Sequence, residues 1–151
     1  KELKEIIGIV ESAKTRLSKM TLDMENDNLE IGILDEALDA LIAACNARGI
    51  SLMLDGVFNH TGDDSVYFNR SGRYGDGGAY RDPDSPYRSW YKFYDWPDNY
   101  HSWWGFYTLP AVNKDNPVYR EYLLGDEGIL PRWIKRGACG WRLDVEIRQR
   151  Y

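Results

Sequence analysis

Apolar residues recur at three- and four-residue steps from the start of the chain. Leu3, Ile6, Ile7, Val10, Ala13 and Leu17 predict an amphipathic helix over residues 1–19. Residues 20–28 are polar and irregular and read as a loop. A second apolar face follows in Leu34, Ala37, Leu38, Leu41, Ile42 and Cys45, which predicts a helix over residues 34–48. Gly49 is placed to stop it, because glycine takes left-handed backbone at a helix end without a Cβ penalty. The period then changes at once. Residues 50–58 form a mostly apolar run, the pattern of a strand covered on both faces in a parallel sheet.

The same pairing of elements recurs later in the chain. Asn116-Pro117 reads as N-cap and first helical position, ahead of a short helix over residues 118–124. A further segment carrying Ile129, Leu130, Trp133 and Ile134 stops at Gly137, and residues 138–145 read as a second buried strand. The order helix–strand, excursion, helix–strand is α/β alternation and implies a parallel sheet. Between the two units, residues 61–107 have neither a helical nor a strand period. They hold 15 of the 21 aromatic residues and nine glycines and prolines. A stretch of this length without regular structure inside a compact domain is usually functional.

Composition narrows the reading. With 151 residues and a formal net charge of −5, the chain suits one domain. It is shorter than the about 250 residues of a complete eight-stranded α/β barrel. The acidic balance argues against nucleic acid or an anionic membrane as partner, since both select a basic footprint. No apolar run approaches the roughly 18 residues of a membrane span. Cys45 and Cys139 fit neither a disulfide framework nor metal-ligand spacing. Both are expected to be small buried hydrophobes, and a reducing, cytoplasmic location follows from them.

The chemistry gathers where the predicted strands end. The first runs into Asp55-Gly-Val-Phe-Asn59-His60 and the second into Arg142-Leu-Asp144. In parallel α/β sheets ligands bind beyond the carboxyl ends of the strands. Arg142 and Asp144 are two residues apart and face the same side of a strand, so the guanidinium is expected to keep the carboxylate ionised. An ionised Asp144 suits a nucleophile or an electrostatic stabiliser; an ordinary ion pair or a loop cap fits the same two residues. His60 suits a hydrogen-bond donor to a sugar hydroxyl or a tie for the following loop. Asn59 suits a loop anchor or an oxygen ligand for a hard cation such as Ca²⁺.

At these residues the sequence resembles the α-amylase family of glycoside hydrolases, glycoside hydrolase family 13. Asp55-Gly-Val-Phe-Asn59-His60 is similar to the family's third-strand motif and Gly140-Trp-Arg142-Leu-Asp144 to its fourth-strand motif. Between them, Leu109-Pro-Ala-Val-Asn113 resembles the short motif near the end of the family's inserted B region. Trp141 and the Leu-Pro-x-x-Asn form lean towards the neopullulanase, cyclomaltodextrinase and maltogenic amylase branch.

The resemblance implies a partial (β/α)8 TIM barrel. Residues 34–60 would be the helix and strand of the third unit, 61–115 a B-region-like insertion, and 116–151 the fourth unit, truncated. Residues 1–33, a helix and loop, match no part of the family's first two strands. It further implies a retaining glycosidase acting on α-1,4-linked glucose oligomers, with a maltooligosaccharide, a cyclodextrin or a starch-derived α-glucan as partner. Asp144 would be the nucleophile, Arg142 its orienting cation, His60 a hydrogen-bond donor to the sugar and Asp55 a support at the base of the site. Asn59 would lie near a structural Ca²⁺; the chemistry itself requires no cofactor. Tyr and Trp faces in the excursion would stack on glucose rings, with Trp90, Trp96, Trp103 and Trp104 as undivided candidates.

Retaining glycosidases need two carboxyl groups about 5–5.5 Å apart. The resemblance puts the acid/base glutamate one strand beyond Asp144, and Glu146 does not occupy its position. The chain, which begins at Lys1 rather than a methionine, is therefore expected to be a fragment or truncated product. Unpaired strand edges in such a chain predict self-association. A non-catalytic carbohydrate-binding fragment and an inert remnant are the alternative readings.

Overall fold

The computed structural model describes the backbone of residues 2–18 and 24–144, and the side chains of residues 4–12 and 35–144. The first unit comprises residues 1–54 with 133–140, and the second residues 55–132 with 141–151.

In the first unit, helix α1 (Glu2–Ser18) packs along helix α2 (Met24–Asn46). The helix predicted for residues 1–19 is present, but Ile7 and Val10 on its apolar stripe are about half exposed. Helix α2 begins ten residues before the position that periodicity marks. Residues 24–28, expected in a loop, are helical; this polar run contains neither glycine nor proline, and polarity alone does not stop a helix. Among its described side chains, Ile42 and Cys45 are buried. Gly49, at φ 68°, ends the helical path. The amide of Ile50 bonds to the Cys45 carbonyl at 3.0 Å and that of Gly49 to Asn46 at 3.0 Å, the two bonds of a Schellman cap. Helix α4 (Ile129–Lys135) closes in the same way. Gly137 has φ 103°, and the amides of Ala138 and Gly137 reach the carbonyls of Trp133 and Ile134. Arg136 then ties α4 to α2, bonding Asp35 at 2.9 Å and pairing with Asp39 one turn on.

Each of these helices leads into a strand, β1 (Met53–Gly56) after α2 and β4 (Gly140–Leu143) after α4, and the two strands pair. Bonds from Cys139 N to Leu52 O (2.9 Å) and from Asp144 N to Gly56 O (3.0 Å) advance together along both, the parallel sense. Neither strand is covered on both faces, contrary to the expectation from their apolar runs. Burial alternates along residues 51–55, with Met53 59% exposed, and Leu143 of β4 is 52% exposed. A parallel strand needs helices on both faces and neighbours on both edges; the described sheet has two strands, so one face of each meets solvent. The same alternation explains Cys139. It is exposed rather than buried because the side chain before it, Ala138, takes the inward direction.

The second unit is built on aromatic side chains. Phe68, Ala79, Trp90, Tyr91, Tyr100, Val112 and Tyr119 form its core. Rings meet at 4.8 Å (Phe68–Tyr100), 4.9 Å (Phe68–Tyr91) and 5.0 Å (Trp90–Tyr119), edge to face. Such pairs contribute about 0.5–1.5 kcal/mol each beyond their area. The region without a period contains one short antiparallel hairpin, β2 (Phe93–Asp95) with β3 (Asn99–Tyr100), and two single-turn 3-10 helices, Arg88–Trp90 and Trp103–Gly105, joined by turns. Asn69 organises the glycine-rich part. It is fully buried with left-handed backbone (φ 56°), donates to the carbonyls of Gly75 (3.0 Å) and Gly77 (2.7 Å), and accepts from Tyr74 N (3.1 Å). Helix α3 (Pro117–Leu124) starts as predicted, with Asn116 as N-cap accepting from Tyr119 N at 2.9 Å and Pro117 in the first turn.

Candidate functional site

Every residue singled out at the strand ends lies in the second unit. Asp55, near the end of β1, and Asp144, just past β4, carry carboxylates that meet one cation. Arg142 Nη1 donates to Asp55 Oδ1 at 2.9 Å and to Asp144 Oδ1 at 2.8 Å. The two carboxylates raise the Arg142 pKa above its ordinary value, Asp55 contributing most. One guanidinium therefore fixes both acids while their other lone pairs stay open to solvent or ligand.

Asn59 locks the strand ends together. Its side-chain amide donates to the Asp144 backbone carbonyl at 2.8 Å, and its own backbone carbonyl accepts from Val112 N at 3.0 Å. Asn59 is buried, and its side-chain oxygen accepts from Lys114 Nζ at 3.0 Å. A cation ligand would need that oxygen. With an ammonium bonded to it, and with no cluster of three or more His, Cys, Asp or Glu side chains able to hold a metal among the described residues, this donor set does not fit Ca²⁺. Lys114 was not visible as a site residue in the sequence. The only signal was its place directly after the Leu109–Asn113 motif.

That motif is the strap of the site. Thr61 N bonds Pro110 O (3.1 Å), Ala111 N bonds His101 O (3.0 Å) and Asn113 N bonds Trp90 O (2.7 Å). The strap thereby joins the loop after β1 to the aromatic core. His60 bridges to Ala111 within it. Its Nδ1 is buried and has no hydrogen-bond partner among the described residues. Burial lowers the His60 pKa below its ordinary value and the nearby Asp144 carboxylate opposes this; the net effect favours neutral imidazole, which both donates and accepts. The His60 ring sits 5.6 Å from that of Trp103. Tyr119 supports the same loop from α3, donating to Phe58 O at 3.1 Å.

The structure thus brings Asp55, Asn59, His60, Arg142 and Asp144 together. A small cleft beside them is lined by Gly56, Phe58, Asn59, Lys114, Leu143 and Asp144. The arrangement offers an anchored carboxylate beside a neutral imidazole, the equipment for nucleophilic attack at an electrophilic carbon and for holding a hydroxyl next to it. Among the described residues no helix is long and apolar enough to cross a membrane.

Residues 34–149 match the α-amylase catalytic domain family. Over 127 residues the chain is 38% identical to an amylopullulanase of Thermoanaerobacterium saccharolyticum, a match covering 72% of this chain and 10% of that protein. It is 31% identical over 112 residues to neopullulanase 2 of Thermoactinomyces vulgaris, covering 70% of this chain and 17% of the relative. Among solved structures, the cyclic α-maltosyl-(1→6)-maltose hydrolase of Arthrobacter globiformis superposes with a TM-score of 0.59 at 35% identity, over 73% of this chain and 24% of that one. The chain therefore spans about a tenth to a quarter of the length of these relatives.

Proposed function

Because the chain belongs to the α-amylase family, we propose that its site is the nucleophile half of a retaining α-glycosidase acting on α-linked glucose oligomers. In this reading α2–β1 and α4–β4 are the third and fourth units of the family's barrel, and residues 61–115 are its B-region insertion. Asp144 attacks the anomeric carbon. Arg142 holds that carboxylate aimed, His60 holds a sugar hydroxyl, and Asp55 anchors the guanidinium from the far side. The acid/base carboxyl of the reaction belongs to a strand following β4, and the described residues end at Asp144.

The observation that carries the reading is the shared Arg142 Nη1, bonded to both strand-end carboxylates within 2.9 Å. The names of the relatives, pullulanases and a maltosyl-maltose hydrolase, point to α-glucans as the substrate class. α-Maltosyl fluoride tests the reading, because fluoride leaves without protonation and so reports the nucleophile alone. As Asp144 Oδ bonds to C1, the C1–F bond breaks and fluoride departs with its electron pair, leaving a glycosyl ester. The expected result is fluoride release from the 151-residue chain and none from Asp144→Asn. Equal release from both, or none from either, overturns the proposal.

A further inference from the structure

The side-chain amide of Asn59 has two orientations of nearly equal shape, and its hydrogen-bond partners choose between them. Rotating a carboxamide by half a turn exchanges its oxygen and its NH2 but moves little else. One partner is an acceptor, the Asp144 backbone carbonyl, 2.8 Å from Asn59 Nδ2. The other is a donor, Lys114 Nζ, 3.0 Å from Asn59 Oδ1. An ammonium carries donors and no acceptor, so only the amide oxygen can face it. The flipped amide would set NH2 against NH3⁺ and oxygen against oxygen. Asn59 is buried, where an unmatched polar group is costly. Lys114 itself is exposed, so its charge as such contributes little. What it supplies is a direction.

That direction is passed to the candidate nucleophile. Asp144 lies just past the last residue of β4, and its N–H is held by the Gly56 carbonyl at 3.0 Å. The Asn59 amide takes hold of its carbonyl. The peptide units on both sides of the Asp144 Cα are thereby fixed, and with them the direction of its Cβ. Arg142 then fixes the carboxylate end at 2.8 Å. We propose that Lys114 is a positioning residue for the Asp144 carboxylate, acting through the Asn59 amide. The inference rests on the proposed nucleophilic role of Asp144. It goes beyond that role by giving the strap after Asn113 control over how the nucleophile is aimed.

The test is single-turnover fluoride release from α-maltosyl fluoride at rising concentration, with the ¹³C resonance of the Asp144 carbonyl recorded for each protein. The 151-residue chain is compared with Lys114→Met, Lys114→Arg, Lys114→Glu, Asn59→Leu and the Lys114→Met/Asn59→Leu double variant. Lys114→Met should lower the maximal rate roughly tenfold with the half-saturating concentration unchanged, as a misaimed group does. Lys114→Arg, again a donor without an acceptor, should restore the rate. Lys114→Glu should be slower than Lys114→Met, because a carboxylate draws the NH2 of Asn59 away from Asp144. The carbonyl resonance should move upfield in Lys114→Met and Lys114→Glu, and the double variant should be no slower than Asn59→Leu. A parental rate in Lys114→Met, or a loss in the double variant beyond that of Asn59→Leu, overturns the proposal. Should Asn59→Leu not fold, equal rates in Lys114→Arg and Lys114→Glu overturn it. A parent chain that releases no fluoride overturns the nucleophile reading instead. The carbonyl resonance then decides for Lys114 alone: a shift in Lys114→Met upholds its hold on Asp144 through Asn59, and an unmoved resonance overturns it.

Discussion

Arg142 reaches Asp55 and Asp144 through a single nitrogen, at 2.9 and 2.8 Å. Lysine carries one compact charge on a flexible stem and lacks the planar fork that holds two carboxylates in fixed directions. Arg142→Lys should slow glycosylation by α-maltosyl fluoride roughly 100-fold, the scale of a lost orienting group. The urea midpoint should hardly move, because Arg142 and Asp55 are exposed, Asp144 is only half-buried, and ion pairs in contact with solvent contribute little to stability. Parental fluoride-release kinetics would remove Arg142 from the site.

Lys114 holds the Asn59 oxygen that a Ca²⁺ ion would otherwise require. Neither a chelator nor millimolar Ca²⁺ should shift the melting temperature of the parent chain. Lys114→Met should lower stability by about 1–3 kcal/mol, the range for a hydrogen bond to a charged group that leaves its partner unsatisfied. A saturable rise in melting temperature with Ca²⁺ would contradict this assignment.

His60 titrates below its ordinary 6.5, chiefly through burial. The unfolded chain then binds the proton more readily than the folded one. The contribution of His60 is fully present above pH 6.5 and is lost as pH falls through that value towards the lower folded pKa. Urea midpoints measured at pH 7.5 and pH 5.0 should differ more for the parent than for His60→Gln. An equal difference in both would show that the imidazole is not buried in its neutral form.

Asn69 makes three hydrogen bonds from a fully buried, left-handed position. Asn69→Ala should cost about 2–4 kcal/mol in urea unfolding, from bonds of about 1 kcal/mol each. Asn69→Gly should cost less than Asn69→Ala, because glycine keeps the backbone conformation. The reverse order would mean that the left-handed backbone sets no penalty on alanine, and a cost near zero in both variants would mean that the side-chain bonds carry no weight.

What could be read from the sequence was what local chemistry decides. Asn116 and Pro117 start α3, and Gly49 and Gly137 end their helices at φ 68° and 103°, because caps depend on a few adjacent residues. The strand-end motifs located Asp55, Asn59, His60, Arg142 and Asp144 together, since period-two geometry and sheet polarity place them. Contacts set by the path of the whole chain were not legible. Lys114 reaches Asn59 across 55 positions, along a strap whose hydrogen bonds have no sequence period. The exposure of Cys139 and Met53 was missed for a related reason: an apolar run states what a residue prefers, whereas burial depends on which neighbours are there to cover it. Trp104, 66% exposed, could not be told from the buried Trp90 and Trp103, because side-chain exposure in an aperiodic loop is decided by tertiary packing alone.

In the proposed site the Asp144 carboxylate is the nucleophile that bonds to a sugar's anomeric carbon. The most direct test is to incubate the chain with 5-fluoro-α-D-glucosyl fluoride, whose ring fluorine slows turnover of the ester, and to map the adduct by peptide mass spectrometry. The expected result is one fluoroglucosyl group on the peptide containing Asp144, absent from Asp144→Asn and strongly reduced in Arg142→Lys. An unmodified chain, or a label on any other carboxylate, would contradict the assignment.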